Sequence, residues 1–363
     1  MQELRAGFDR QHEEDATVKR WIRACRRGIP ASVVACVLVA ILAVPAVSHA
    51  EDRLVVYSGR AERFIQPALD AFQAESGMTV QLLTADSTAL INRLRLEGAR
   101  TSADVLITND AGTLERAREL HLLRATPIPD LEDTIPDQFR APDDSWIGLS
   151  GRIWVVVYNT TMVNPDAISS ILDLGDPRWE GRIAIPNAGS VYLQTGVSVI
   201  REINGDEVTI RFLQGLKKNA GSFVYGKNRQ IVAAVARGEV AAGLVNHYYI
   251  SRHLAKHPEA PIAMQLTDQG DEGMGMILNA AGVGITAHTK HLAHAQALVR
   301  FLVASKGQRL FAHENKEYPL NPRVPAASEL LPLHRFRVAS VPLSHLAQLR
   351  DPTMTVIEDV GLR

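Results

Sequence analysis

Cysteine is nearly absent: the 363 residues contain two, Cys25 and Cys36, both within the first fifty positions. The chain after position 50 has no thiol, which excludes disulfides and thiolate metal sites from it. Any metal held there must take oxygen or nitrogen donors, a set that suits hard ions. Net charge is lacking too, with 39 Lys and Arg against 40 Asp and Glu, a formal −1. Binding to a phosphate backbone demands a clear excess of cations, so nucleic acid is not expected as a partner. Repeats and low-complexity tracts are missing. No motif joins a nucleophile, a base and an acid, so no reaction class is assigned and the chain reads as a binder, not an enzyme.

What is present starts with a leader. Lys19, Arg20, Arg23, Arg26 and Arg27 precede an apolar run at 29–47, and Ser48-His49-Ala50 closes it. Basic flank, apolar centre and small-x-small end predict a secretory signal peptide over 1–50, cleaved before Glu51, and export to the periplasm. The alternatives are a retained membrane anchor, because the run approaches spanning length, and lipidation at Cys36, where continuing apolar residues replace the expected polar tether. The remainder is ordinary in composition, 46% hydrophobic and 22% charged over the whole chain, and long enough for two domains.

Strands and helices alternate after the leader. Leu54-Val55-Val56-Tyr57 reads as a strand, 62–75 as a helix stopped by Gly77, 79–83 as a strand, 90–98 as a helix, 104–107 as a strand and 114–123 as a helix. This alternation predicts a parallel sheet whose ligands sit at the carboxyl ends of strands, at the loops near Ser58 and Asn109. Residues 126–144 are rich in Pro and Asp and read as loop. Further strands are expected at 154–158, 182–185, 241–245 and 278–284, and helices at 190–200, 210–216, 231–236, 250–256 and 293–304. Tyr248-Tyr249 stands where the 241–245 strand gives way to a helix, and phenolate is a hard donor suited to a trivalent ion. An aromatic pair is also an ordinary core or stacking feature.

Two patterns mimic metal or nucleotide sites. Gly221-Ser222-Phe223-Val224-Tyr225-Gly226-Lys227 follows most of a P-loop, but Asn228 stands where Ser or Thr should hold magnesium. His253 and His257, and His288, His291 and His294, have helical spacing without an accompanying acidic ligand, which reads as a solvated polar face.

Several segments occur in a familiar order: Tyr57-Ser58-Gly59-Arg60, Ser102-Ala103-Asp104-Val105, Leu149-Ser150-Gly151-Arg152, Val155-Val156-Val157-Tyr158-Asn159, Asp176-Pro177-Arg178-Trp179-Glu180-Gly181-Arg182-Ile183, Asn246-His247-Tyr248-Tyr249 and Glu317-Tyr318-Pro319-Leu320. Over 54–363 the chain resembles the periplasmic ferric-iron-binding proteins of ABC importers. That resemblance implies a type II periplasmic-binding-protein fold, two α/β domains joined by two crossing segments. The domains expected are 51–150 with 275–320, and 151–274 with 321–363. It implies capture of ferric iron with carbonate or phosphate as synergistic anion, closure about segments near 149–154 and 273–278, and a monomer that docks to an ABC permease. Tyr248, Tyr249 and Tyr192 match iron ligands. Gly189, Ser190 and Val191 match an anion-binding helix start, which the helix dipole favours, and Asn228 and Asn246 match donors to that anion. Arg60 and Arg152 are placed to bind it through their planar forks. The chain departs from the family pattern at Ala61, where many members carry His, and at Asn109, where many carry an acidic ligand; Asp110 lies one place off. These departures leave open a same-fold binder of an organic or oxyanionic solute such as a phosphonate, sulfate or polyamine; a ligand-sensing partner of a membrane receptor kinase is a further alternative, which the chain alone does not separate from transport.

Overall fold

The computed structural model describes residues 53–125, 128, 131 and 133–363. The predicted leader, with Cys25, Cys36 and the cleavage point before Glu51, lies outside the described residues. Among the described residues no helix is long and apolar enough to cross a membrane.

Apolar residues at helical spacing set the first layer. Helix α1 (Glu62–Ser76) follows strand β1 (Arg53–Ser58) and buries Ile65, Ala68, Leu69 and Phe72. Gly77 ends it in the left-handed region, φ 72°, where the missing Cβ removes the steric cost. Strand β2 (Thr79–Thr84) then leads to α2 (Ser87–Glu97), whose N-terminus is capped by the Asp86 carboxylate accepting from the Thr88 and Ala89 amides. Strand β3 (Val105–Thr108) is followed by α3 (Ala111–Glu119), capped in the same way by Asp110. β1 pairs parallel with both β2 and β3, as the alternation predicted.

Two strands cross the middle. β4 (Trp146–Asn159) is buried at every position, and β9 (Ile277–Ile285) is likewise buried throughout. They pair antiparallel over Trp146–Trp154 with a register shift between Gly148 and Ser150. β4 is longer than its apolar run at 154–158 suggested, because backbone pairing with β9 continues through the polar Ser150 and Arg152. Beyond them lie β5 (Ile183–Pro186), α4 (Val191–Ala220), β6 (Val224–Tyr225), α5 (Asn228–Ala236), β7 (Ala242–Asn246), α6 (His247–Leu254) and β8 (Ile262–Gln265). The main path of the sheet runs β2-β1-β3-β9-β4-β7-β5-β6. β4 and β9 are therefore the shared spine of two parallel clusters, β2-β1-β3 on one side and β7-β5-β6 on the other.

The two helices expected at 190–200 and 210–216 form one element, α4, broken only at Gly205, whose φ of 78° and ψ of 172° are not helical. The chain then adds α7 (Leu292–Val303), α8 (Ser305–Asn315), β10 (Tyr318–Pro319) and α9 (Leu346–Val360). β10 pairs with β4 at Ser150 and Gly151, and α9 packs on both α3 and α4.

Candidate functional site

Register brings the polar residues of the crossing strands together. Arg152 lies opposite Asn279 of β9, and Trp154 lies opposite Asn246, the last residue of β7. The chain turns directly from Asn246 into α6, which puts Tyr248 and Tyr249 in its first turn. β5 and β6 likewise deliver their carboxyl ends to the starts of α4 and α5. Three helix N-termini thus converge at the carboxyl edge of one parallel cluster, the usual place for a ligand in such a sheet. Gly196 lets α4 approach the crossing strand closely, since a Cβ there would sit 2.3 Å from Cε3 of Trp154.

The centre of this region is a cation without a direct partner. Arg152 is buried, and its Nε and Nη2 have no hydrogen-bond acceptor. Its guanidinium carbon lies 5.4 Å from the centroid of the Tyr192 ring. Tyr248 and Tyr249 stand side by side with ring centroids 4.4 Å apart. Burial holds the Tyr248 phenol well above its ordinary value, reinforced by Tyr192 and Tyr249 and opposed by Arg152. Burial raises Tyr249 as well. Both phenols are therefore protonated in the ligand-free form, and ionising them requires an added positive charge. Two further buried polar atoms lack partners, Asn228 Oδ1 and Asn246 Nδ2. Each such buried atom keeps a hydrogen bond open to a ligand or a water.

His247 fixes the tyrosine turn. Its Nδ1 accepts from the Ile153 amide at 3.3 Å, so Nε2 carries the proton and donates to the Lys316 carbonyl at 2.9 Å. Burial pushes this imidazole down to about 4, which keeps it neutral. Among the described residues no cluster of three or more His, Cys, Asp or Glu side chains is arranged to hold a metal. The histidine pattern at 288–294 is not a purely solvated face: His291 Nδ1 lies 3.1 Å from Asp104 Oδ1.

Residues 54–314 match the bacterial extracellular solute-binding proteins. The chain belongs to that family. Among its relatives it is 29% identical to Iron uptake protein A1 of Synechocystis sp., over 86% of this chain and 88% of that protein. It is 27% identical to the Major ferric iron-binding protein of Neisseria meningitidis, over 88% of this chain and 96% of that protein. A Trichodesmium protein solved in complex with iron and citrate superposes with a TM-score of 0.78 at 30% identity, covering 86% of this chain and all of the other. The fold is that of the two-domain periplasmic binding proteins, as expected from the sequence.

In this solute-binding protein a cavity of about 340 Å3 opens beside the three helix starts. Ser190, Val191, Tyr192, Asn228 and Tyr249 line it. Arg152 and Tyr248 adjoin it through Tyr192 and Tyr249, and Asn246 stands at the foot of the tyrosine turn. Gly189 is exposed just ahead of α4 and is not among the lining residues.

Arg60 departs from its expected place beside the anion. Its Nη2 donates to both oxygens of Glu317, at 2.9 and 2.7 Å, and its Nη1 donates to Ser150 Oγ at 3.2 Å. Ser150 in turn donates to Glu317 Oε2 at 2.6 Å. Glu317 and Ser150 thus hold two nitrogens of Arg60, with Nε left unpartnered, and the side chain ties the first loop to β4 and β10. Burial works against the charge on Glu317, but Arg60 and then Arg152 outweigh it and hold the carboxyl below its ordinary value. Asn109 donates to the Gly59 carbonyl at 2.5 Å. The cavity also carries three cations not expected at the site, Arg63, Lys227 and Arg229. The signal was present in Lys227-Asn228-Arg229, where two cations flank an expected anion donor.

Proposed function

We propose that this protein captures ferric iron together with a synergistic anion in the periplasm and delivers it to an ABC permease. The observation that carries the reading is the buried guanidinium of Arg152, unpartnered at two nitrogens and set beside the Tyr192 ring, next to the Tyr248-Tyr249 pair. Tyr192, Tyr248 and Tyr249 would supply phenolate oxygens to the ion. The anion would lie against Arg152, Asn228, Asn246 and the amides at Ser190 and Val191, where the helix start favours negative charge. Gly189 would shape that turn. The iron and citrate bound by the Trichodesmium relative support the pairing of a ferric ion with an anion.

The domains in this reading are 51–150 with 275–320 and 151–274 with 321–363, closing about β4 and β9. Residues 1–50 are the export signal. The mature protein binds and hands over its cargo without chemistry, as a monomer.

Visible absorption of the purified protein with ferric iron, with and without carbonate, is the deciding test. A ferric–phenolate band is expected, and Tyr248→Phe with Tyr249→Phe should bleach it. A colourless protein that binds an oxyanion alone would favour the second reading, which the cation-lined cavity supports.

A further inference from the structure

A larger cavity, of about 600 Å3, is lined by β9, β10 and the proline-rich segment 321–338. It shares no lining residue with the cavity at the helix starts. Glycines in β4 make room for one of its walls. A Cβ at Gly148 would sit 2.6 Å from Cδ1 of Leu320, and one at Gly151 would sit 3.1 Å from Cδ2 of the same side chain. Bare backbone at both places lets Leu320 seat on the strand. The segment that follows is fixed at each end. Tyr318 and Pro319 pair with β4. Beyond the cavity the Met276 amide donates to the Arg337 carbonyl at 2.8 Å, and the Ala339 amide donates to the Met276 carbonyl at 2.9 Å. Five prolines line the cavity, and their locked φ stiffens it further.

The lining is apolar and carries almost no charge. Phe139, Leu278, Leu320, Val324, Ala327 and Leu330 are buried there. No Lys, Arg, Asp or Glu lines the cavity, and the prolines have no N–H to offer. Three of the polar side chains, Gln138, Ser328 and His334, are exposed. Asn321 is engaged: its Nδ2 donates to the Val303 carbonyl at 3.2 Å and its Oδ1 accepts from the Arg323 amide at 3.0 Å. Tyr318 remains. It is fully buried, its ring lies 4.7 Å from His247 and 5.8 Å from Phe336 between centroids, and its hydroxyl has no partner. Burial raises this phenol, so the hydroxyl stays neutral and able to donate. An apolar cavity within roughly 300–1,000 Å3 that holds one placed polar group has the make-up of a small-molecule site.

We propose that this cavity binds a neutral, largely apolar organic molecule through one carbonyl oxygen, which accepts from the Tyr318 hydroxyl. A charged occupant would be buried without a counter-ion, a cost that this lining cannot offset. A pure hydrocarbon would leave the hydroxyl unpaired. The site stands independently of the iron reading, because no residue of the cleft cavity takes part in it.

The test uses the metal-free protein and prodan, a neutral naphthyl ketone. Its emission moves to shorter wavelength in apolar surroundings and to longer wavelength when its carbonyl accepts a hydrogen bond. The wild type should bind one prodan per chain, with emission at shorter wavelength than in water. Ala326→Phe and Leu333→Trp add bulk from half-buried lining positions. Each should weaken binding roughly tenfold or more, and a failure of one to fold leaves the other to decide. Tyr318→Phe keeps the ring against His247 and removes the donor. Binding should fall about fivefold, as one lost hydrogen bond implies, and the emission should move to still shorter wavelength. Octanoate should not displace the probe, because its carboxylate would find no cation. The absence of saturable binding overturns the proposal. So does binding unchanged in a folded filling variant, since the probe would then sit elsewhere. Affinity and emission unchanged in Tyr318→Phe would remove the hydroxyl from the site and overturn it too. Displacement by octanoate would make the cavity a site for anionic amphiphiles, against the neutral class proposed.

Discussion

Thr195 Oγ1 donates to Asp110 Oδ2 at 2.9 Å, joining the start of α3 to the side of α4 across the crossing strands. Asn279 on β9 donates to the same oxygen at 2.6 Å, while Asp110 Oδ1 accepts from the Thr113 amide at 2.7 Å. One carboxylate therefore links both α/β clusters and their spine. Thr195→Val removes this link, together with the 3.3 Å bond from Asn279 Nδ2 to Thr195 Oγ1, and keeps the side chain's shape. A hydrogen bond to a charged group contributes about 1.5–3 kcal/mol, so the closed form should be weakened and ligand affinity should fall roughly tenfold. Small-angle scattering of the ligand-free variant should show a larger radius of gyration. Unchanged affinity and unchanged size would exclude Asp110–Thr195 as a closing contact.

The alternation from β1 to α3 was legible because each element carries its own periodicity and stop signal, such as Phe64 to Phe72 before Gly77. The tyrosine turn was legible because Tyr248-Tyr249 follows a short apolar strand. α9 was not, since Pro352 lies inside it and reads as a breaker, although packing on α3 and α4 holds the helix together. α8 was missed as well: its N-terminal turn is polar, and Gly307 is there because a Cβ would fall 2.4 Å from the Phe301 carbonyl. The fate of Arg60 could not be read from sequence. Its partner Glu317 lies 257 residues away, and only the sheet brings them together.

Acid should unfold the metal-free protein in two stages. His247 falls from an ordinary 6.5 to about 4 in the fold, so between those values the unfolded chain binds the extra proton. Stability is unaffected above 6.5 and drops as pH falls from 6.5 to about 4, by on the order of 3 kcal/mol in total. Glu317 is held below its ordinary carboxyl value, so its contribution is complete above that value and is lost as pH falls through the lower folded one. His247→Gln should flatten the first stage in a series of melts from pH 7 to 4. A first stage of the same size in that variant would assign it to other groups.

Glu317→Gln strands the buried guanidinium of Arg60. Breaking a buried ion pair on one side typically costs about 3–5 kcal/mol. Denaturant unfolding at pH 7 should show a loss of that order. The double variant Arg60→Met/Glu317→Leu should recover most of it, because both charges are then gone. Failure of the double variant to recover would mean that the pair is valued for its geometry, through Ser150 and β10, more than for its charge balance.

Export makes a separate prediction. Protein recovered from the cell envelope should begin at Glu51, as N-terminal sequencing would read directly. A start within 1–50, or lipid on Cys36, would replace cleavage by anchoring.

Arg152 joins stability to function through one charge. Its buried Nε and Nη2 have no acceptor, although Glu317 and Asp110 lie within electrostatic reach. Burial works against the charge of Arg152, but its surroundings outweigh that and hold its guanidinium above the ordinary value; a bound anion would supply the hydrogen bonds that Nε and Nη2 lack. Arg152→Met keeps much of the side chain's length and discards the charge. The metal-free variant should therefore melt below the wild type, because Glu317 loses one of the two charges that hold its carboxyl ionised. Iron binding should weaken as well. In the wild type, carbonate or citrate should tighten it strongly, because the anion fills open coordination positions and neutralises the guanidinium. In Arg152→Met that dependence should shrink towards the anion-free level, while the phenolate band remains because Tyr192, Tyr248 and Tyr249 are intact. Titrations of both proteins in rigorously anion-free buffer and in carbonate give the four affinities required. An equal anion effect in the two proteins would remove Arg152 from the anion site and leave Asn228, Asn246 and the α4 amides to hold it alone.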